Sequence, residues 1–143
     1  MAHVSPTDEA LGELLASART IAIVGASANP GRPAHGVMKF LLRRGYRVVP
    51  VTPAASQVLG EQAYPSLAEI PDAVDIVDVF RRAEAVPAIA DEAVAIGARA
   101  LWLQLGIVSE EAARRAAAAG LTVVMDRCIA ETAHALGTVR RGP

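Results

Sequence analysis

The sequence predicts one α/β domain of the doubly wound, Rossmann-like class, in which helices cover both faces of a five-stranded parallel sheet. Short β-rich runs alternate with helical patterns along the whole chain, which is typical of this class. The β-rich runs are continuously apolar, as strands buried on both faces usually are. The 143 residues, 52% of them hydrophobic, suit one domain. We therefore expect a single domain over 1–143 with its core at about 20–128.

The first half of the chain is predicted to begin with a helix capped by Ser5, because a proline and an acid follow at first-turn positions. The first strand ends at Gly25, and Pro33 then begins a second helix that Gly45 ends. Pro50 belongs near the end of the second strand, since proline donates no hydrogen bond to a sheet. The elements predicted here are a helix from Ser5, a strand at 21–24, a helix from Pro33, a strand at 47–51 and a one-turn helix at 66–69.

The second half of the chain continues the same alternation. Apolar residues at helical spacing begin at Val86 and stop before Gly97. Ser109 is predicted to cap the next helix, with two glutamates at its positive end. The elements predicted here are a strand at 74–79, a helix at 86–94, a strand at 100–103, a helix from Ser109, a strand at 121–125 and a tail helix at about 131–136.

The order of the strands determines where a ligand would lie. We expect the order 3-2-1-4-5, with a flavodoxin-like order as the alternative, because periodicity does not separate the two. In an open sheet the ligand lies beyond the carboxyl ends of the strands, at the point where their order reverses. For the first order this point lies between strands one and four, next to residues 25–32 and 104–107.

Residues 25–32, Gly-Ala-Ser-Ala-Asn-Pro-Gly-Arg, are the first candidate ligand site. They are small, uncharged until Arg32, and precede a helix start, where backbone N–H groups can hold phosphate oxygens. The arginine could add a bidentate contact. The loop matches neither the dinucleotide fingerprint, of which only Gly25 is present, nor a Walker A motif, and the alternative is a turn that binds nothing. The candidate contacts are Gly25, Ala26, Ser27, Asn29 and Arg32.

The end of the second strand is neutral, with Val51, Thr52 and Pro53 in succession. NAD-binding sheets usually place an acid here, where it binds the ribose hydroxyls. This end is therefore expected to pack against an adenine. The missing acid disfavours NAD without excluding NADP, which Arg47 could serve.

Further residues follow strands at the same edge of the predicted sheet. Arg81 or Arg82, after Phe80, either meets a phosphate or the two form a solvated pair at a helix start. Arg127 either contacts a ligand or fixes its loop through Asp126. Cys128, the one cysteine, is expected to be an inert thiol rather than to form a mixed disulfide with a ligand.

No residues fall into a catalytic or metal-binding pattern. Asp75 and Asp78 are expected to make structural hydrogen bonds, because no second carboxylate or histidine is placed beside them. His35 is expected to be a neighbour of the phosphate or an exposed side chain. We therefore predict no catalytic residues and no metal site.

Composition excludes several classes of function. The net charge of -1 and the 3% of aromatic residues disfavour nucleic-acid binding. One cysteine cannot form a disulfide framework. No apolar run is long enough to span a bilayer, and the N-terminus does not resemble a secretory signal. We expect a cytoplasmic protein that needs no membrane and no nucleic acid.

Several motifs, in one order, resemble those of the stand-alone CoA-binding domain proteins. These are small bacterial and archaeal relatives of the N-terminal domain of the succinyl-CoA synthetase alpha subunit. The resemblance covers about residues 20–128. The motifs are Ile-Val-Gly-Ala-Ser at 23–27, Gly-Tyr-Arg-Val-Val-Pro-Val at 45–51, Val-Asp-Ile-Val-Asp-Val-Phe-Arg-Arg at 74–82, Trp-Leu-Gln-Leu-Gly-Ile at 102–107 and Val-Met-Asp-Arg-Cys at 124–128.

The resemblance implies a CoA-binding, Rossmann-like domain without a proven reaction. In such domains the first loop, here 25–32, holds the CoA phosphates, and the end of strand two, here 51–53, borders the adenosine. The chain departs from the family after Cys128, where a Pro-Lys pair is common and Ile129 stands here. The turn after strand four also contacts CoA; its residues here are Leu103, Gln104 and Leu105, followed by Gly106.

We therefore predict non-catalytic binding of coenzyme A or acyl-CoA through a phosphate loop of small residues. The alternative is an NAD(P)-binding oxidoreductase or redox sensor, supported by the sheet type alone. A third hypothesis is an interaction protein with a vestigial pocket. The expected partner is the small-molecule ligand, with a homo-oligomer or a protein partner left open.

Overall fold

The computed structural model describes residues 3–138 and 140. The other residues of the expected domain, 1, 2, 139 and 141–143, lie outside the described residues. The elements are α1 (Asp8–Ser17), β1 (Thr20–Val24), α2 (Pro33–Arg43), β2 (Arg47–Val51), β3 (Gln57–Val58), β4 (Glu61–Gln62), β5 (Ile76–Val79), α3 (Val86–Ala95), β6 (Ala100–Leu103), α4 (Glu110–Ala118), β7 (Thr122–Val124) and α5 (Ile129–Ala135), with short 3-10 helices at Leu67–Glu69 and Ala83–Ala85.

The main sheet has five parallel strands in the order β2-β1-β5-β6-β7, which confirms the α/β, Rossmann-like class. The expected order 3-2-1-4-5 is wrong, because the third long strand, β5, lies beside β1 and not beside β2. The alternative flavodoxin-like order is the one observed. Pro50 explains the difference: without an N–H group it is tolerated on an edge strand, and β2 is the edge strand here. All four residues of β5 are buried, as a central strand requires.

The connection from β2 to β5 differs from the expected alternation. It contains no α-helix but a two-stranded β3–β4 hairpin and the 3-10 helix Leu67–Glu69. Leu67 is buried in one cluster with Val51 and Val77, so this connection closes one face of the sheet. The predicted one-turn helix is confirmed, whereas strands of two residues are too short for a periodic pattern to predict.

Two apolar cores lie on opposite faces of the sheet. One packs α1, α2 and α5 against side chains of the sheet that include Ile21, Ile23 and Trp102. The other packs α3 and α4 against side chains that include Leu101 and Leu103. The expectation of helices on both faces is therefore confirmed. No helix within the described range is long and apolar enough to cross a membrane.

Helix α1 begins two residues later than expected. Thr7, not Ser5, is the N-cap, and its side chain accepts a hydrogen bond from the Ala10 amide at 3.1 Å. The threonine has the extended backbone that an N-cap needs, and two acids follow it in the first turn. Ser109 caps α4 as predicted, with its hydroxyl 3.2 Å from the Ala112 amide nitrogen.

Candidate functional site

The reversal of strand order lies between β1 and β5. This corrects the expected position between strands one and four, because strand order differs from the expected one. The loop after β1 and the residues after β5 therefore meet at this edge, where the Phe80 amide donates to the Val24 carbonyl at 2.8 Å. Flavodoxin-like sheets bind their ligands at this point.

Gly25 lets the two segments approach closely. Its φ is +89°, and a Cβ built there would lie 2.5 Å from the Phe80 carbonyl oxygen and 3.1 Å from Cδ of Arg81. Real Cβ atoms essentially never approach backbone at the first of these distances. The absence of a side chain at Gly25 is therefore what allows the loop to pass over the end of β5.

Several amides of the 25–32 loop bond within the protein. The amides of Gly25 and Ala26 donate to the Val51 carbonyl at 3.0 and 3.3 Å. The Asn29 amide donates to the Ser27 hydroxyl at 3.0 Å, and the Asn29 side chain accepts from the Gly31 amide at 2.9 Å. Contrary to expectation, the first two amides of the loop are thus not free for a ligand; they fasten it to β2.

Other donors of the same loop remain unpaired. The backbone N–H groups of Ser27, Ala28 and Ala34 donate to no acceptor among the described residues. The guanidinium of Arg32, the N-cap of α2, also makes no hydrogen bond or ion pair there. A cavity of about 310 Å³ lies beside these groups. Its walls are formed by Gly25, Ala26, Ser27, Arg32, Pro33, Ala34 and Phe80.

A second, mainly apolar cavity of about 440 Å³ adjoins the first and shares Pro33 and Phe80 with it. Its polar groups are the exposed Arg81 and Arg82 and the buried Gln104. The first cavity thus offers backbone amides and one arginine, whereas the second offers mainly apolar walls together with two arginines and Gln104. The walls of the second cavity are formed by Pro33, Val37, Phe80, Arg81, Arg82, Gln104, Leu105, Ile107 and Cys128.

Asp78 lies fully buried in β5, between Ile23 of β1 and Trp102 of β6. Its Oδ1 accepts a hydrogen bond from Nε2 of Gln104 at 2.5 Å, and its Oδ2 has no partner among the described residues. Burial raises the pKa of Asp78 from 3.8 to about 8, although the bond from Gln104 acts in the opposite direction. The buried carboxyl of Asp78 therefore accepts a hydrogen bond from Gln104, the amide side chain in the wall of the apolar cavity.

The end of β2 lies beside the 25–32 loop but outside both cavities. Val51 reaches the loop through its carbonyl oxygen, and the buried Thr52 accepts from the Ala54 amide at 3.1 Å with its hydroxyl. The exposed Pro53 follows. This end is joined to the hairpin segment by the hydrogen bond from the Thr52 amide to the Tyr64 carbonyl.

The expected contacts after β6 divide into two groups. Gln104 and Leu105 line the apolar cavity, whereas Leu103 is buried in the opposite core. The Gly106 amide donates to the Asp126 carboxylate at 2.7 Å, so it is used within the protein. The arginine of the β7 loop, Arg127, has its guanidinium 3.6 Å from the Asp8 carboxylate of α1 and lines neither of the two cavities described above.

The predicted contacts did not include five of the cavity residues, which are Pro33, Ala34, Val37, Ile107 and Cys128. Pro33 and Val37 were assigned to the start and core face of α2, because their spacing shows only that they are helical. Ile107 and Cys128 come from two loops that the sheet brings together. The apolar character of Ile107 was the one signal available for it. No group of three or more potential metal ligands occurs in the described part of the chain.

Comparison with known proteins identifies what the chain is similar to. Residues 19–133 match the sequence model of a family described as "CoA binding domain". The protein YneT of Bacillus subtilis, itself uncharacterised, is 41% identical over 132 residues, which are 92% of this chain and 97% of YneT. An ADP-forming acetate–CoA ligase of Archaeoglobus fulgidus is 30% identical over 95 residues, which cover 65% of this chain and 14% of the ligase.

Solved structures agree with this similarity. A hypothetical protein from Pyrococcus horikoshii superimposes with a TM-score of 0.89 and 38% identity, over 95% of this chain and 99% of that one. This chain thus corresponds to nearly the whole of some relatives and to a small fraction of the ligase.

Proposed function

The chain belongs to the CoA binding domain family, and from this membership we propose that it binds coenzyme A or an acyl-CoA at the edge between β1 and β5. We further propose that it binds without catalysing a reaction. The same edge would hold the phosphates, the adenosine and the pantetheine arm of the ligand.

The observation that carries the proposal is the cavity over the N-terminus of α2. Ser27 and Ala34, whose amides have no acceptor among the described residues, line this cavity together with Arg32, whose guanidinium has no partner among them. A helix N-terminus with free N–H groups is a site for phosphate, since the amides and the helix dipole both favour negative charge. The diphosphate of CoA would bind here, with the arginine as its charged partner.

The apolar cavity suits the pantetheine arm and a short acyl group. It adjoins the proposed phosphate site at Pro33 and Phe80, so one ligand could extend through both. The neutral end of β2, at 51–53, would border the adenosine on the other side. Arg81 lies where it could reach a phosphate from the cavity rim.

Binding without catalysis is proposed because the cavities hold no arrangement of groups that moves protons or attacks a substrate. The carboxyl of Asp78 is fully buried behind Gln104. Cys128 has no histidine or carboxylate bonded to its thiol within the described range. An NAD(P)-dependent reaction receives no support from the family, and the end of β2 carries no acid for a ribose.

Calorimetric titration of ligand-stripped protein tests the proposal. We expect CoA and acetyl-CoA to release heat and to raise the thermal midpoint, and NAD and NADP to do neither at the same concentration. Native mass spectrometry of freshly purified protein should also reveal retained CoA and any homo-oligomer. A response to NADP with none to CoA would replace this proposal by the redox alternative.

Replacing Arg32 with alanine should weaken CoA binding about 10- to 100-fold, the effect of one charge-assisted hydrogen bond. The thermal midpoint of the free protein should stay nearly unchanged, because the side chain is exposed and unpaired within the described chain. Arg43→Ala, in the last turn of the same helix, is the matched control and should bind CoA as the unmodified protein does. Equal affinities for the two variants would exclude Arg32 from the phosphate site.

A further inference from the structure

Asp78 is a costly residue for the position it occupies. The other three residues of strand β5 are apolar, and Asp78 has no exposed surface. Its Oδ2 has no hydrogen-bond partner among the described residues. An unsatisfied buried oxygen of this kind destabilises a fold, and an apolar side chain of similar size would avoid the cost. Packing of the sheet therefore gives no reason for a carboxyl here.

The contact with Gln104 provides such a reason. Gln104 directly follows β6, is only 4% exposed, and forms part of the wall of the apolar cavity. Its Nε2 donates to Oδ1 of Asp78, so the carboxyl fixes the plane of the amide. With its nitrogen directed at Asp78, the amide has its carbonyl oxygen left for a ligand, and a carbonyl oxygen accepts only from donors such as an amide N–H.

We propose that Asp78 is a positioning residue for ligand binding, which holds the Gln104 amide so that its carbonyl oxygen is presented to an amide-bearing arm in the apolar cavity. This inference rests on the proposed function, because the pantetheine arm of CoA carries two such amides. Asp78 itself does not touch the ligand. The protein would then tolerate the cost of burying this carboxyl because the carboxyl makes it bind a ligand with an amide-bearing arm more tightly than a bare nucleotide.

The test compares two ligands on each variant. CoA carries the arm, whereas 3′-phosphoadenosine 5′-diphosphate keeps the adenosine and the phosphates without it. The ratio of the two affinities isolates the arm from the phosphate site, so a general loss of structure would not be mistaken for a loss of positioning. The variants are Asp78→Leu, Gln104→Leu and the double variant, measured by calorimetric titration.

Asp78→Leu and Gln104→Leu should each lower CoA affinity about tenfold and leave affinity for the bare nucleotide unchanged. The double variant should lose no more than either single variant, since both changes remove the same contact. Asp78→Asn keeps an acceptor for the Gln104 nitrogen, so it should restore CoA affinity to within about twofold of the unmodified protein. If Asp78→Leu does not fold, Asp78→Ala takes its place in the cycle.

Asp75→Asn is the matched control at the start of the same strand region. Its carboxylate accepts from the Arg19 and Thr20 amides at 2.9 and 3.0 Å, far from the ligand edge. This variant should change stability and leave the ratio of the two affinities as it is.

Two results would overturn the inference: Asp78→Leu with an undiminished preference for CoA over the nucleotide, or losses that multiply in the double variant. Equal binding of both ligands by the unmodified protein would also overturn it and leave the proposed phosphate site standing. Binding of neither ligand would remove the proposed function itself, and the inference with it.

Discussion

Gly25→Ala should destabilise the protein by about 2–4 kcal/mol and abolish measurable CoA binding. Two costs add at this position. The φ of +89° costs an L-residue on the order of 1 kcal/mol, and the new Cβ would lie 2.5 Å from the Phe80 carbonyl oxygen, which is backbone and cannot rotate away. Overpacking of a rigid contact adds about 1–3 kcal/mol. Relief of this clash must separate the loop from the end of β5, and that movement would disrupt the proposed phosphate site.

Gly120→Ala separates the two costs. Gly120 has a φ of +93° and open space where a Cβ would lie, so only the backbone term applies. Urea unfolding should show a loss of about 1 kcal/mol for this variant and clearly more for Gly25→Ala, while only the latter loses the calorimetric signal with CoA. Equal losses of stability would show that the contact with Phe80 relaxes freely.

The second large effect is a fall in stability as the pH rises, caused by Asp78. Burial raises the pKa of this carboxyl from 3.8 to about 8, so between these values the folded protein holds a proton that the unfolded chain releases. The stabilisation from the neutral carboxyl is complete below about pH 4 and is lost as the pH rises to about 8. Four pH units correspond to roughly 5 kcal/mol, which is an upper value because the structure can relax around the charge.

Unfolding by urea at pH 5, 7 and 9 measures this effect as a difference between two proteins. Asp78→Asn has no ionisable group at the position, so its stability relative to the unmodified protein should increase from pH 5 to pH 7 and level off above about pH 8. Asp75→Asn is the matched control, because it removes a partly exposed carboxylate that accepts hydrogen bonds from the Arg19 and Thr20 amides. Parallel pH profiles for the unmodified protein and Asp78→Asn would contradict the prediction.

The class of fold and most elements could be predicted because the buried strands are apolar runs and the helices carry local end signals. Pro33, Ser109 and Gly97 mark ends that the structure confirms. Strand order depends instead on which strands pair over long distances, and apolar runs look alike at central and edge positions. Pro50 carried a signal that we interpreted differently: its missing N–H fits an edge strand as well as the strand end at which we expected it.

The edge of the sheet at which the cavities lie could be predicted, but neither the pair of strands that flanks them nor the free atoms could. Gly25, Arg32 and Gln104 line the cavities at the predicted edge. Which amides are free could not be predicted, because the bonds from Gly25 and Ala26 to the Val51 carbonyl arise from the tertiary position of β2. The role inferred for Asp78 depends in the same way on Gln104, which is distant in sequence and adjacent in the sheet.

The outer side of β2, an edge of the main sheet, is not open to pairing with another strand along its last residues. Its last residues already pair with the chain that follows: the Tyr64 amide donates to the Pro50 carbonyl at 3.0 Å, and Val51 forms a parallel bridge with Tyr64. Natural sheets prevent the addition of strands from other molecules by placing proline on an edge strand or by covering the edge with a loop of the same chain. If copies of this chain associate, we expect that the sheet does not continue from one molecule into the next at this border.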